Sequence, residues 1–262
     1  MVLSGYHWSA FVVSCKLLNY KFMSGHSKWA KLKHFKGALD AKKSAMFTKL
    51  GHLITIAARE AGGDPITNFK LRVAIEKANK ASLPKENIER AVKRGLGEGE
   101  KGQLEEIIYE AFGPGGAAIV IEVLTDNKNR ATASIRRIFN RYGGTLGGQN
   151  SILWMFERKG ILRIADSKKI INLEEMELEL IDKGAEDIKE EGGELAIYTK
   201  PENLQKVKEF LESKNIAPDY AEVEWFAKNL IKISEGDQKK IDNIFAELDE
   251  DPDVNDYYAN IE

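Results

Sequence analysis

Apolar residues recur at helical spacing in the first part of the chain. From Ser44 to Ala61 they form one stripe, which consists of Phe47, Leu50, Ile54, Ala57, Ala58 and Ala61. A stripe of this period predicts an amphipathic helix, and the glycine pair that follows it at 62–63 predicts its end.

Two shorter helices are predicted next. Asp64 is the expected cap of the first, Pro65 falls in its first turn, and its inner face is expected to hold Leu71, Ile75 and Ala78. The string "LPKENIERAVKRG" predicts the second, with Pro84 in its first turn and Gly95 at its end. Residues 44–95 are therefore interpreted as a small helical bundle.

The pattern changes after the glycine-rich string "GLGEGEKGQ", which is interpreted as a hinge. "EEIIYEAF" and "AAIVIEVLT" predict strands, "NRATASIRRIFNRYG" a helix, and "SILWMFERKGILRI" one long or bent strand. A helix at about 173–184, the strand "ELAIYTK", a helix around Leu204–Leu211 and the strand "YAEVEWF" follow. The helix "GDQKKIDNIFAELDE" and a closing strand "DYYANIE" complete an α+β protein with small sheets.

Composition places the chain among ordinary globular proteins. Its 262 residues are 43% apolar and 31% charged, and no apolar run is long enough to span a bilayer. The single cysteine, Cys15, excludes an intramolecular disulfide and suits a reducing compartment, so a cytoplasmic location is expected. Residues 1–22 are interpreted as an extension without a function of its own, with Met23 as the functional start.

Charge is divided unevenly along the chain. Residues 1–100 contain 18 Lys and Arg against 8 Asp and Glu, whereas residues 101–262 contain 21 against 33. The segment from Met23 to Leu50 holds seven Lys, two His, one Trp and a single carboxylate, Asp40. Such a split favours a basic module for a polyanion beside an acidic body, although two unevenly charged, solvated domains would look the same.

Three motifs resemble sites of chemistry but have simpler explanations. "GPGG" (113–116) is interpreted as a turn, because it lacks the Lys-Ser/Thr and the helix of a phosphate loop. Asp126 is better explained as a turn residue than as a catalytic acid, and "DEDPD" (249–253) lacks the later ligands of a calcium loop. No catalytic residue, metal site or cofactor is therefore expected.

The stretch between Asp126 and Glu157 has no carboxylate, yet it contains Lys128, Arg130, Arg136, Arg137 and Arg141. Outward-facing arginines on the predicted helix would suit phosphate contact, or they could form salt bridges with the acidic C-terminal helices. The string "GGTLGGQN" (143–150) could present backbone amides to an anion, or it could be a flexible connection.

Several strings together resemble the YebC/PmpR family. They are "MSGHSKWAKLKH", "FTKL…ITIAAREAGGDP", "LPKENIERAVKRG", "YEAFGPGGAAIVIEVLTDNKNR", "GGTLG" and "DPDVNDYYAN", and they occur in order over residues 23–262. The resemblance implies a basic helical domain at 23–100, a central α+β domain at 101–160 and 228–262, and an acidic α+β domain inserted at 161–227.

The resemblance also implies a non-enzymatic, nucleic-acid-binding regulator of gene expression. Members of the family are described as DNA-binding transcriptional regulators, and others as ribosome-associated factors that ease translation through proline-rich stretches. The expected partner is DNA, or ribosomal RNA and the ribosome, with no membrane and no small-molecule substrate. The residues expected to bind nucleic acid are His26, Ser27, Lys28, Trp29, Lys31, Lys33, Lys42, Lys43, Lys49, Lys128, Arg130, Arg137 and Arg141.

The basic arm gives a direct test. Its lysines are expected to neutralise phosphates, while Trp29 either stacks on an exposed base or anchors the arm to the bundle. Charge reversal at Lys28, Lys31 and Lys33 should weaken nucleic-acid binding and flatten its salt dependence, measured by titration at several salt concentrations. Unchanged affinity and salt slope would remove this region from the interface.

Overall fold

The computed structural model describes residues 40–98, 104–167, 170, 172–191 and 193–262. Within these ranges the chain forms seven α-helices and two four-stranded antiparallel sheets, which confirms the expected α+β fold class. The helices are α1 (Asp40–Ala61), α2 (Phe69–Lys80), α3 (Lys85–Gly95), α4 (Lys128–Arg141), α5 (Leu173–Lys183), α6 (Leu204–Ser213) and α7 (Glu235–Glu250). The strands are β1 (Glu105–Phe112), β2 (Ala118–Thr125), β3 (Thr145–Leu146), β4 (Phe156–Ile164), β5 (Ala185–Glu191), β6 (Glu194–Thr199), β7 (Tyr220–Ala227) and β8 (Val254–Ala259).

Helices α1, α2 and α3 pack into the predicted bundle around one apolar core. Its buried residues are Leu50, Ile54, Ala57, Ala58, Leu71, Ala74, Ala78, Leu83, Ile88 and Ala91. Helix α1 begins at Asp40 rather than near Ser44, and Ala61 at the end of the predicted stripe is exposed. The inward face therefore follows the predicted period, whereas the helix boundaries differ by a turn.

The predicted cap of α2 is wrong. Asn68, not Asp64, precedes the helix, and its side-chain oxygen accepts a hydrogen bond from the Leu71 amide. The Asn68 amide group also donates to the carbonyls of Ala57 and Gly62, which ties α2 to the end of α1. Asp64 instead accepts a hydrogen bond from the Ile66 amide in the preceding turn. The cap at position 68 is buried and donates two hydrogen bonds, which an asparagine amide can supply and a carboxylate cannot.

The first sheet has the strand order β3-β1-β2-β8, and α4 and α7 cover one of its faces. The second sheet has the order β5-β6-β4-β7 and buries its core beneath α5 and α6. Because β4 to β7 all lie between β3 and β8 in the sequence, the second sheet is an insertion in the unit built on the first. The exact domain boundaries stay a prediction, and β4 runs across the boundary expected at residue 160.

The connections around β1, β2 and β4 differ in part from the prediction. Residues 114–116 form a short turn between β1 and β2, as expected for "GPGG". The predicted strand from Ser151 is wrong over its first five residues, because a 3₁₀ turn (Leu153–Met155) precedes β4. Strand β5 was not predicted, since its string "AEDIKEE" is highly charged, as suits the edge of a sheet. None of the described helices is both long enough and apolar enough to cross a bilayer.

Close packing of α1 against α3 generates a stability prediction. A Cβ added at Gly95 would lie 2.4 Å from the Thr55 carbonyl oxygen and 2.7 Å from the Ala58 Cβ. Gly95→Ala should therefore lower the free energy of unfolding by about 1–3 kcal/mol, because α1 and α3 must move apart. Denaturant unfolding followed by circular dichroism measures this change.

Gly51 is the matched control. It lies within α1, and a Cβ added there would meet nothing within 4 Å. Gly51→Ala should leave stability unchanged or raise it by up to about 1 kcal/mol through helix propensity. Equal effects of the two substitutions would contradict the close-packing explanation.

Candidate nucleic-acid interface

Helix α4 presents the row of basic residues singled out in the sequence. The Asn127 side chain caps the helix by accepting a hydrogen bond from the Arg130 amide. One face of α4 is buried on the first sheet through Ala131, Ile135, Ile138 and Phe139. The exposed residues of the other face include Lys128, Arg130, Arg136, Arg137 and Arg141.

Arg130 is held by acidic residues outside α4. Its Nε and Nη2 atoms donate to the two carboxylate oxygens of Asp253 at 2.9 and 2.7 Å, and Nη2 also donates to Asp126 at 3.0 Å. Asp253 is only 4% exposed, so the paired carboxylate is largely removed from water. The hydrogen bonds from Arg130 to Asp253 and then to Asp126 raise the pKa of the guanidinium above its usual value.

Arg141 is held in the same way at the other end of the helix. Glu247 of α7 accepts hydrogen bonds from Arg141 and from the Tyr142 hydroxyl. The Tyr142 hydrogen bond lowers the pKa of Glu247 most, Arg141 lowers it further, and burial opposes both. The salt bridges considered in the sequence analysis therefore form at Arg130 and Arg141.

The remaining cations of α4 differ from Arg130 and Arg141 in their contacts. Lys128, Arg136 and Arg137 are exposed, and none of them forms an ion pair with another residue in the described ranges. They stand on a rigid helix and leave their charged groups in water. A phosphate backbone can therefore approach them without breaking an ion pair within the described ranges, although the charge of Arg137 also lowers the pKa of Glu247.

Asp126 takes part in ion pairs that link α3 to α4. It accepts hydrogen bonds from Arg130 of α4 and from Arg94 of α3. Partial burial works to raise the pKa of Asp126, but the hydrogen bond and charge of Arg130, together with Arg94, leave it below its usual value. A carboxyl group held in its ionised form by two guanidinium groups is poorly suited to act as a general acid.

The candidate residues of the helical bundle are only partly described. Lys49 donates to the backbone oxygens of Leu248 and Asp249, where its positive charge meets the negative end of the α7 dipole. Lys43 is exposed, and its Nζ lies 5.6 Å from the centre of the Phe47 ring. The other candidates lie outside the described residues: the side chain of Lys42, and His26, Ser27, Lys28, Trp29, Lys31 and Lys33. Their role in binding stays a prediction.

Ion pairs also join the bundle to the inserted unit. Lys77 of α2 pairs with Glu222 of β7, and Arg72 of α2 lies near Glu209 of α6. Lys208 of α6 pairs with Glu76 of α2, although Lys208 is only 4% exposed. These contacts hold the bundle against the inserted unit.

Backbone amides at the end of the glycine-rich string (143–150) and just after it bind an anion of the chain itself. The buried carboxylate of Glu110, on β1, accepts hydrogen bonds from the backbone amides of Asn150, Ile152 and Leu153. This contact replaces the expected strand at 151–155 by a turn and leaves Trp154 exposed. Neither Glu110 nor Trp154 is predicted from the sequence, because the buried acid and its amide partners lie about forty residues apart and do not stand out in the local pattern.

Two sequence profiles match almost the whole chain. The profile described as the TACO1/YebC protein N-terminal domain matches residues 27–98, and the profile described as the TACO1/YebC second and third domain matches residues 104–261. The chain belongs to the TACO1/YebC family. The resemblance stated from the sequence strings is thus confirmed.

Relatives in the TACO1/YebC family match nearly end to end. A "probable transcriptional regulatory protein" of Thermoanaerobacter pseudethanolicus is 49% identical over 240 residues, which are 92% of this chain and 97% of that protein. A protein of the same description from Thermotoga maritima is 48% identical over 92% of this chain and 94% of its own length. The crystal structure of a conserved hypothetical protein from Aquifex aeolicus is 40% identical, has a TM-score of 0.78, and covers 90% of this chain and 97% of that one.

His52 lies where the bundle of this TACO1/YebC chain meets the first sheet. Its pKa is lowered by burial and by the charge of Arg94, against the weaker opposing effects of Asp253, Asp126 and a backbone hydrogen bond to Leu124. The Nδ1 atom is buried and has no hydrogen-bond partner among the described residues. The native protein therefore favours the neutral imidazole at this junction.

This environment predicts a pH-dependent stability. Because the folded pKa lies below the unfolded value of about 6.5, the unfolded state binds the proton first as the pH falls. The contribution of His52 to stability should be complete above about pH 7.5 and decline as the pH falls through the unfolded pKa to about 5.5. His52→Gln should show a smaller decline in its urea unfolding midpoint over this interval. An identical decline in both proteins would exclude His52 as the cause.

Proposed function

We propose that this protein is a non-enzymatic regulator of gene expression that binds nucleic acid and acts in transcription through DNA. The observation that carries the proposal is the surface of α4, where Lys128, Arg136 and Arg137 are exposed without ion pairs to other described residues. They belong to a stretch of thirty residues, 127–156, that contains no carboxylate. Such a surface neutralises a phosphate backbone and gains free energy from counterion release.

The names of the relatives support the same direction. The proteins of Thermoanaerobacter pseudethanolicus and Thermotoga maritima are both named probable transcriptional regulatory proteins. The environment of Asp126 supports a non-enzymatic role, since two arginines hold its carboxylate in an ion-pair network. The basic arm proposed from the sequence would add a second contact to the one on α4.

The three exposed cations Lys128, Arg136 and Arg137 supply the test. A variant with Lys128→Gln, Arg136→Gln and Arg137→Gln should bind duplex DNA more weakly. The slope of log affinity against log salt should also become shallower by about 0.9 for each phosphate that the variant no longer neutralises. Fluorescence anisotropy titrations at several salt concentrations measure both quantities.

Lys206→Gln is the matched control, because Lys206 is an exposed lysine on α6 of the acidic inserted unit. It should leave affinity and slope unchanged. A triple variant with wild-type affinity and slope would exclude α4 as the contact surface. Crosslinking in cells, followed by sequencing of the bound DNA and RNA, identifies the target. If the sequenced fragments come only from ribosomal RNA, the target is the ribosome and not DNA.

A further inference from the structure

Trp154 leaves 68% of its surface exposed, although tryptophan is a residue that proteins largely bury. It lies in residues 147–155, here called the Trp154 loop, between the short edge strand β3 and β4. Phe112, at the end of β1, is a second exposed aromatic residue, at 39%. Exposed aromatic rings that lie near each other often mark a binding site.

The Trp154 loop is rigid where it carries the ring. The Glu110 carboxylate binds the amides of Ile152 and Leu153 at 2.6 and 3.0 Å. Ile152 is fully buried in the core between the two sheets. The Trp154 indole nitrogen donates to the Ser151 carbonyl at 3.0 Å, so the only polar atom of the ring is bonded within its own loop. This hydrogen bond orients the ring and leaves its apolar surface exposed. A ligand that stacks on the ring therefore loses little free energy to the ordering of the side chain.

Phe112 borders the same loop. Side chains alternate along a strand, so Ile108, Glu110 and Phe112 of β1 lie on one face of the sheet. A Cβ added at Gly147 would lie 3.2 Å from the Phe112 ring and 2.3 Å from the Ser151 hydroxyl oxygen. Only glycine lets the loop lie this close to Phe112, and this approach brings the Phe112 ring to the loop that carries Trp154.

Among the described residues, the carboxylates that flank Trp154 in the sequence or share the Phe112 face of β1 are buried, paired or distant. The Glu110 carboxylate is buried and occupied by amides, and Glu157 pairs with Lys159 at 3.0 Å. Glu106 is on the Phe112 face but six residues away, about 20 Å along the strand. The Lys228 ammonium donates to the Trp154 carbonyl at 2.8 Å and places a positive charge at the backbone of the loop.

We propose that Trp154, with Phe112 at the border of its loop, is a stacking site for an unpaired base of a single-stranded nucleic acid. An exposed, fixed indole offers a flat π-surface to any base, and the Lys228 ammonium at the loop backbone attracts a phosphate of the same strand. In a duplex the faces of the bases are already stacked, so the site selects single strands. This inference rests on the proposed nucleic-acid-binding function and adds to it a preference for unpaired segments.

The test compares variants of the full chain by fluorescence anisotropy. The probe is a labelled oligothymidylate of about 20 nucleotides, which is longer than a single stacking site. Trp154→Ala should weaken its binding roughly 10-fold, whereas Trp154→Phe should keep most of the affinity. The salt slope and the affinity for duplex DNA should stay as in the wild type, because the substitution leaves every cation in place.

Leu178→Ala is the matched control. Leu178 is also 68% exposed, but it lies on α5 of the inserted unit, so its removal should not change binding. Wild-type affinity of Trp154→Ala for the single strand would overturn the inference and leave the proposed function standing. An equal weakening for single strand and duplex would also overturn it, by showing a general structural effect. If the wild type binds neither probe, the proposed function and this inference fail together.

Discussion

The burial of β2 on both faces is the constraint on which the rest of the structure depends. All eight of its residues are buried, and it lies between β1 and β8 in the first sheet. On one face Ile119, Ile121 and Val123 pack against α4 and α7. On the other face Ala118 and Val120 contact the start of the inserted unit, while Leu124 contacts Ile56 of the helical bundle. The three parts of the protein therefore meet on a single strand, which explains why its sequence is almost continuously apolar.

Local pattern predicted most of this architecture, because helix stripes and apolar strands are properties of neighbouring residues. The stripe of α1 and the run "AIVIEVLT" of β2 are examples. Where prediction failed, the deciding partner was distant in the sequence or hidden by polarity. Glu110 determines the turn before β4 from forty residues away. Strand β5 is charged and shows no apolar alternation, so its sequence gives no sign that it pairs with β6.

The candidate site, too, was predicted only where it depends on neighbouring residues. Helix α4 and its basic residues follow from the sequence, but their partners do not. Asp253 and Glu247, which hold Arg130 and Arg141, lie more than a hundred residues further along the chain. The acidic C-terminal segment thus serves partly to fix the basic helix in place, and not only to keep the protein in solution. The charge split seen in the sequence is partly neutralised by other ion pairs, such as Lys77–Glu222 and Arg94–Asp126, which join the first hundred residues to the rest of the chain.

This internal pairing ranks the arginines of α4 as possible phosphate contacts. Moving Arg130 to a phosphate would leave the buried carboxylate of Asp253 without its guanidinium, at a cost on the order of 3 kcal/mol. Arg141 and Glu247 form a more exposed pair, and water can replace either partner at little cost. Arg136 and Arg137 form no ion pair in the described ranges, so both can bind a phosphate without breaking one. Phosphate binding should therefore begin at the middle of α4 and reach Arg141 next, while Arg130 keeps the helix fixed to Asp253.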